Sequence, residues 1–356
     1  MKQDIKNLSM QEMRDWLKET GLEPYRSTQI FKWLYLRLVS DFSEMTDLSK
    51  DLRTKLAEKF VIGALKTIET AESTDGTKKY LFQLEDGNYI ESVLIPGKDR
   101  STLCISSQVG CAQGCRFCMT AKAGFIRNLT QSEITDQIVE VRREIIKSDC
   151  PDDLDLKNIV FMGMGEPLAN LENVSKALEI ITNGDCGLKL SHRRVTVSTC
   201  GLVPKFQDLA KMTRANLAIS LNATDDDTRD MLMPINKSFP LKTLIDACKR
   251  YPLDPRQKIT FEYILIRDLN DSMADARRIT SLLHGVKAKI NLIPYNESPG
   301  SEFKRPDDSR INGFLQFLLD KGYTAIIRKS KGADIAAACG QLSANARSRQ
   351  ERLEEE

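Results

Sequence analysis

The chain has 356 residues, 41% hydrophobic and 29% charged, with a formal net charge of +2 at pH 7. This suits one large folded domain, or a large one beside a small one, and excludes a disordered or collagen-like chain. Any nucleic-acid contact must then rest on local charge, and no stretch approaches the ~20 apolar residues that span a bilayer.

The opening "MKQDIKNLSM" lacks the apolar centre of a signal peptide. In "SMQEMRDWLKETG", Ser9 and Glu12 form a capping-box pair and Gly21 a stop, which predicts a short helix. "RSTQIFKWLYLRLVS", with Ile30, Leu34 and Leu38 at helical spacing, predicts a second, and "LSKDLRTKLAEKF" a third. "KKYLFQLEDGNYIESVLIP" alternates apolar and polar residues on both sides of "EDGN", a hairpin signal. Trp16 and Trp33 are assigned to core packing. Residues 1–95 are therefore expected to form a small helical domain with an appended hairpin.

From residue 96 to 342 short β-rich runs recur: "STLCISSQVG", "NIVFMGMGEP", "RRVTVSTCG", "ANLAISLNA", "KITFEYILI" and "KINLIPYN". Helical segments separate them. The clearest covers 130–147, where Thr130 and Glu133 make a capping box and Ile134, Ile138, Val141 and Ile145 a stripe. Such alternation gives parallel strands joined by crossovers. The predicted class is α/β, an open partial barrel of six units, short of the eight that close one; a doubly wound sheet fits the same periodicity. "DDSRINGFLQFLLDKG" reads as a helix stopped by Gly322, "YTAIIRKSKG" as a final strand, "ADIAAACGQL" as a small-residue segment, and 343–356 as a charged tail.

Chemistry is expected just past the carboxyl ends of the strands. The first such end leads into "CAQGCRFCM", where Cys111, Cys115 and Cys118 are separated by three residues and then two. Nine cysteines without an export signal point to a reducing cytoplasm, where thiols pack, bind metal or react. A structural zinc takes four protein ligands, and the only histidines, His192 and His284, are far along the chain. Three thiolates instead suit a 4Fe-4S cluster whose fourth iron is left to a substrate or cofactor. Gly110 and Gly114 free the backbone and Phe117 shields. A zinc-bearing RNA-binding protein without catalysis is the alternative from another class.

The "CxxxCxxC" pattern with an aromatic before the last cysteine resembles the radical S-adenosylmethionine (SAM) superfamily, as does "GMGEP" beyond the next strand. The ordered series "ESVLIP", "TLCISSQVGC", "FMGMGEPLAN", "STCGLVP", "SLNA", "NLIPYN" and "AACGQL" is similar to the RlmN/Cfr family of radical SAM adenosine-carbon RNA methyltransferases. The resemblance runs from the N-terminal helices to about residue 342. It implies a partial (β/α)6 barrel of radical SAM type behind a small RNA-handling domain, and one 4Fe-4S cluster held by Cys111, Cys115 and Cys118. It implies two SAM per turnover. One methylates Cys339; the other is cleaved to a 5′-deoxyadenosyl radical that takes hydrogen from the S-methyl group. The resulting carbon radical adds to the base, and Cys104 resolves the adduct, leaving a disulfide that must be reduced.

By the same resemblance, the product is a methyl on carbon-2 of an adenosine in large-subunit (23S) rRNA, and in tRNA next to the anticodon; methylation at adenine carbon-8, the Cfr resistance type, is the alternative. Gly165 and Glu166 are implied to contact the SAM amino group, and Ser198, Ser220, Leu221, Asn222 and Asn296 to line the rest of its pocket. Asn222 stands where many relatives have histidine. Glu91 matches a proton acceptor, although the strand alone reads it as a solvated carboxylate. The implied partners are rRNA, tRNA and a flavodoxin or ferredoxin electron donor, with a monomer as the working form and no membrane. Arg328, Lys329 and Lys331, Arg193–Arg194 and Lys304–Arg305 are the candidate RNA contacts. Cys150, Cys186, Cys200 and Cys248 are assigned to packing.

Overall fold

The computed structural model describes residues 2–98, 100–147, 156–297 and 300–342; Cys150 and the charged tail lie outside them. Three helices open the chain: α1 (Met10–Glu19), α2 (Arg26–Tyr35) and α3 (Lys50–Lys59). The Glu12 amide donates to Ser9 Oγ and the Ser9 amide to Glu12 Oε2, the expected reciprocal cap. Trp33 is buried, and Trp16 packs edge-on to Phe60 with ring centroids 5.0 Å apart.

The centre of the molecule is a ten-stranded sheet among the described residues. Its strands are β1 (Lys66–Glu72), β2 (Lys78–Gln83), β3 (Tyr89–Ile95), β4 (Ser101–Cys104), β5 (Leu156–Phe161), β6 (Val195–Thr199), β7 (Asn216–Ser220), β8 (Ile259–Leu265), β9 (Ala288–Pro294) and β10 (Thr324–Ile327). Strands β1 to β3 form an antiparallel meander, with the "EDGN" turn between β2 and β3. Strand β3 pairs antiparallel with β4, Val93 opposite Cys104, so the hairpin is hydrogen-bonded into the main sheet. From β4 to β10 every neighbouring pair is parallel.

The seven parallel strands follow one another in chain order with no reversal. A doubly wound sheet reverses its order at a switch point, so the winding is that of a barrel. The sheet ends at β10 and β1, which do not pair among the described residues, and the barrel stays open. The run "STLCISSQVG" divides: β4 ends at Cys104, and Gln108–Gly110 forms a separate antiparallel pair with Phe125–Asn128. Between them the Ser106 hydroxyl donates to the Glu91 carbonyl and accepts from the Met164 amide.

The 130–147 expectation becomes helix α4 (Gln131–Lys147), capped by the Thr130–Glu133 pair and burying Ile134, Ile138, Val141 and Ile145. Its other side receives the N-terminal unit. Lys6 and Asp136 form a buried ion pair, Gln131 Nε2 donates to the Lys6 carbonyl at 2.7 Å, and Arg143 donates to the carbonyls of Leu38 and Val39. One hydrophobic core runs from Ile5 through α4 to Leu342. No helix among the described residues is long and apolar enough to cross a membrane.

Candidate active site

The cysteine loop is shaped by glycines. Gly110 has φ +74°, and a Cβ there would lie 1.8 Å from the Gly124 carbonyl oxygen, which accepts the Cys111 amide at 2.9 Å. The Cys118 amide donates to the Cys115 carbonyl at 3.1 Å, closing a turn that runs into the short helix Met119–Lys122. Cys111, Cys115 and Cys118 are unpaired, half-buried, and line one cavity of about 150 Å³.

Burial pushes the Cys111 thiol up to about 12 and raises that of Cys115 further, and the neighbouring thiols add to both shifts. Thiols such as Cys111 and Cys115, which disfavour ionisation when buried, are suited to a metal group whose positive charge offsets the thiolates. Among the described residues no three His, Cys, Asp or Glu side chains are placed to hold a single metal ion. Three soft thiol donors from one short loop, facing one cavity with no histidine among its lining residues, suit an iron–sulfur cluster.

Other strand ends complete the cavity. Past β5, Gly165 adopts φ +97° and leaves no room for a side chain: a Cβ would lie 2.5 Å from Gln108 Cβ. Glu166 follows, buried, which raises its pKa. Its Oε1 accepts the Leu168 amide at 3.0 Å and its Oε2 the Cys200 amide at 2.8 Å, fixing the carboxylate against the cavity. Ser198, Ser220 and Asn222 also line it. Asn222 takes the left-handed region, φ +56°, which asparagine tolerates. Its amide is spent internally: Nδ2 contacts Met233 Sδ at 3.3 Å and Oδ1 accepts the Ile264 amide at 3.0 Å.

Two of the expected pocket residues sit elsewhere. Leu221 is buried in the core and is not a cavity-lining residue. Asn296 lies outside the lining, and its Nδ2 donates to the Cys339 carbonyl at 3.4 Å while its Oδ1 accepts from Ser330.

Cys339 and Gly340 form one wall of the cavity, the cysteine exposed to it. The Met119 amide donates to the Gly340 carbonyl at 2.7 Å and Thr120 Oγ1 to the Leu342 carbonyl at 3.1 Å, so the cluster loop and the Cys339 segment are tied directly. The segment's other end is held by the β1–β2 turn. Asp334 accepts from Ser73 Oγ at 2.6 Å and the Thr74 amide at 3.2 Å, and Asp75 accepts the Gly332 amide at 3.1 Å.

Cys104, buried at the end of β4, lies within electrostatic reach of Cys339; burial pushes its thiol up to about 12, Cys339 adds to this, and Arg328 opposes it. Neither cysteine is in a disulfide.

Several residues differ from expectation. Arg328, a candidate RNA contact, turns inward: Nη1 lies 3.4 Å from Glu262 Oε1 and 3.6 Å from Met162 Sδ. The neighbouring Cys339 raises its pKa. Glu262, absent from the predicted set, lines the cavity and accepts from Ser198 Oγ at 3.3 Å; a lone carboxylate in the apolar run "KITFEYILI" was its only sequence signal. Glu91 is buried rather than solvated, paired with Lys79 at 3.3 Å; Lys79 also donates to the Ala336 carbonyl. Cys200 does more than pack: it lines the cavity and its thiol lies 3.5 Å from Gln113 Oε1. Cys186 and Cys248 are buried away from the cavity. Of the other basic candidates, Lys304 and Arg305 are paired with Glu297 and Asp308, and Lys331 donates to the Pro96 carbonyl.

Residues 3–62 match the family described as "Ribosomal RNA large subunit methyltransferase N-terminal domain", and 105–278 match the radical SAM superfamily. The chain is 57% identical to the dual-specificity RNA methyltransferase RlmN of Desulfosudis oleivorans, over 96% of this chain and 91% of that one. It belongs to the RlmN family. The RlmN protein of Geobacter sulfurreducens is 53% identical, over 95% of this chain and 91% of its own length. A radical SAM methyltransferase from Sphaerobacter thermophilus superposes with a TM-score of 0.88 at 42% identity, covering 95% of this chain and 98% of that one. As an RlmN-family member, the chain is a SAM-dependent RNA methyltransferase that uses an iron–sulfur cluster.

Proposed function

We propose that this enzyme methylates carbon-2 of a specific adenosine in large-subunit rRNA, and of an adenosine next to the anticodon in tRNA, through a methyl carried on Cys339. The observation that carries the reading is the single cavity lined by Cys339, the three loop cysteines and Glu166, with Cys104 behind it. Carbon-2 of adenine is electron-poor and has no lone pair, so direct attack on the SAM sulfonium is closed to it; a carbon carried on sulfur and activated by hydrogen loss is a route that remains. Cys111, Cys115 and Cys118 would hold the cluster, which would supply the electron for SAM cleavage.

The protein's own groups do the rest. Glu166, with Gly165 bringing the backbone close, complements the ammonium of SAM. Ser198 and Ser220 offer hydroxyls to the nucleoside, Asn222, its amide bonded to Met233 and Ile264, shapes the wall beside them, and Asn296 positions Cys339 through its carbonyl. The Cys339 thiolate accepts a methyl group, and Arg328 stabilises that thiolate. As the adduct radical gives up one electron, which an oxidised cluster would take back, Cys104 takes part in removing the ring proton. Its thiolate then attacks Cys339 sulfur, the carbon–sulfur bond breaks, and the released carbon takes up a proton, giving methyladenosine and a Cys104–Cys339 disulfide. Glu91, on the neighbouring strand and paired with Lys79, is the further proton acceptor. Reduction of the disulfide by cytoplasmic thiols, an electron from flavodoxin or ferredoxin, and two SAM close one turnover by a monomer. Residues 1–95 hold the RNA.

The test is anaerobic reconstitution with iron and sulfide, incubation with SAM, reductant and unmodified ribosomal or transfer RNA, and mass spectrometry of the digest. 2-Methyladenosine that disappears in Cys339→Ala and Cys118→Ala is expected. Methyl at carbon-8, or methylation that survives Cys339→Ala, overturns the reading.

A further inference from the structure

A second surface lies at the opposite ends of the strands from the cavity. The segments that enter β6, β7 and β8, and the start of β9, line a groove of about 660 Å³. Into it come Arg193, Arg214, Arg256, Lys258 and Lys289, against one carboxylate, Asp254, among the described lining residues. None of the five cations forms an ion pair within the described structure. This sets them apart from other surface cations: Lys304, Arg305 and Arg310 all hold carboxylates at 2.6–3.4 Å. With a net charge of only +2, five cations in one groove without a close ion-pair partner among the described residues, Lys289 having Glu262 within electrostatic reach, are a local concentration of positive potential.

We propose that this groove binds the phosphodiester backbone of the RNA substrate, as a contact separate from the one that delivers the target base. The groove's chemistry selects for phosphate over bases. Apart from His192 its lining contains no aromatic side chain on which a base could stack, and its arginines and lysines are the groups that pair with phosphate oxygens. The cations sit on four adjacent parallel strands or their entries. Three inter-strand steps of about 4.8 Å give a track of roughly 14 Å, long enough for about four phosphates at roughly 3.4 Å of helix axis per phosphate along one strand. An adjoining groove shares Arg256 and Lys258 and adds Lys287 and Lys321, lengthening the track.

The distance to the cavity is also suitable. Strands β6 to β9 are five to seven residues long. At a rise of about 3.3 Å per residue the groove and the cavity are roughly 20 Å apart, a span that one folded RNA covers. The proposal rests on the chain being an RNA methyltransferase and is independent of which ring carbon is methylated.

The experiment measures binding of unmodified ribosomal and transfer RNA transcripts to the cluster-loaded enzyme at 50 to 300 mM salt. Wild type is compared with Arg214→Gln/Arg256→Gln and with Arg214→Lys/Arg256→Lys. Iron content and SAM cleavage without RNA, which involve neither residue, verify that each variant is folded and loaded. The Gln variant is expected to bind RNA on the order of tenfold more weakly at low salt, and the slope of log affinity against log salt is expected to fall by about 1.4–1.8, two phosphate contacts at 0.7–0.9 each. The Lys variant should keep most of both. Unchanged affinity and slope in the Gln variant overturn the proposal. So does a Gln variant that binds RNA normally but is reduced more slowly by flavodoxin, which would assign the groove to an acidic protein.

Discussion

At Gly110 a single hydrogen atom decides whether the cysteine loop can close. The residue combines a left-handed backbone with a carbonyl 1.8 Å from where a Cβ would sit, so Gly110→Ala must shift the Gly124 turn that holds the Cys111 amide. The strain is on the order of 1–3 kcal/mol, and its consequence is local: iron per chain after reconstitution should fall well below that of wild type while far-UV circular dichroism is unchanged. Arg328 acts through charge. Although its side chain opens into the cavity, desolvation by the surrounding walls raises the Cys339 thiol, and the guanidinium opposes that rise. Removing the cation therefore moves the thiol further up and leaves less thiolate at neutral pH. In Arg328→Met, S-methylation of Cys339, read by mass spectrometry of the protein, should slow on the order of tenfold or more at pH 7 and recover part of its rate as pH rises. A variant that is slow at every pH would show that Arg328 serves packing alone.

At the scale of elements, the turn between β1 and β2 clasps the segment that carries Cys339. Burial alone would raise the Asp75 pKa, but hydrogen bonds from the Thr77 and Gly332 amides outweigh it and hold the group at about 2. Bonds from Ser73 and Thr74 likewise lower Asp334. Depressed carboxylates stabilise the fold above their unfolded value near 4, and that contribution is lost as pH falls towards 2. The clasp should therefore be intact throughout the neutral range. Asp75→Asn/Asp334→Asn should raise hydrogen exchange across residues 330–340 and lower kcat with little change in the KM for SAM; unchanged exchange would mean that the cluster-loop bonds suffice.

This clasp was not legible in the sequence, since its partners are more than 250 residues apart. Strand β1 escaped for a different reason: "KTIETAE" is polar on both faces and only partly buried, as an edge strand can be, so it carries no alternation. The capping boxes of α1 and α4 and the "EDGN" turn were legible because their partners are three or four residues apart. Within the cavity, the loop cysteines announce themselves by spacing. Glu262 and Arg328 do not, because one is a lone carboxylate and the other a basic residue among several, 66 positions away.

At the scale of the whole molecule, helix α4 decides whether the N-terminal unit and the barrel behave as two bodies or one. Its buried face belongs to the barrel's core, yet Asp136, Gln131 and Arg143 on the same helix hold the first forty residues. Lys6 and Asp136 are almost fully buried, and removing one partner leaves a charge in a low-dielectric seam, at a cost of about 3–5 kcal/mol. Lys6→Met should therefore be strongly destabilising, whereas Lys6→Met/Asp136→Leu, which removes both charges, should regain most of the loss. Calorimetry is the informative measurement because the core is continuous across the seam. Wild type should melt in one transition. Lys6→Met should either lower that transition as a unit or split off an early one from the N-terminal helices. If the double variant is as unstable as the single one, the seam is held by shape and by the Gln131 and Arg143 bonds, and the ion pair serves only to set the register of the first segment against α4.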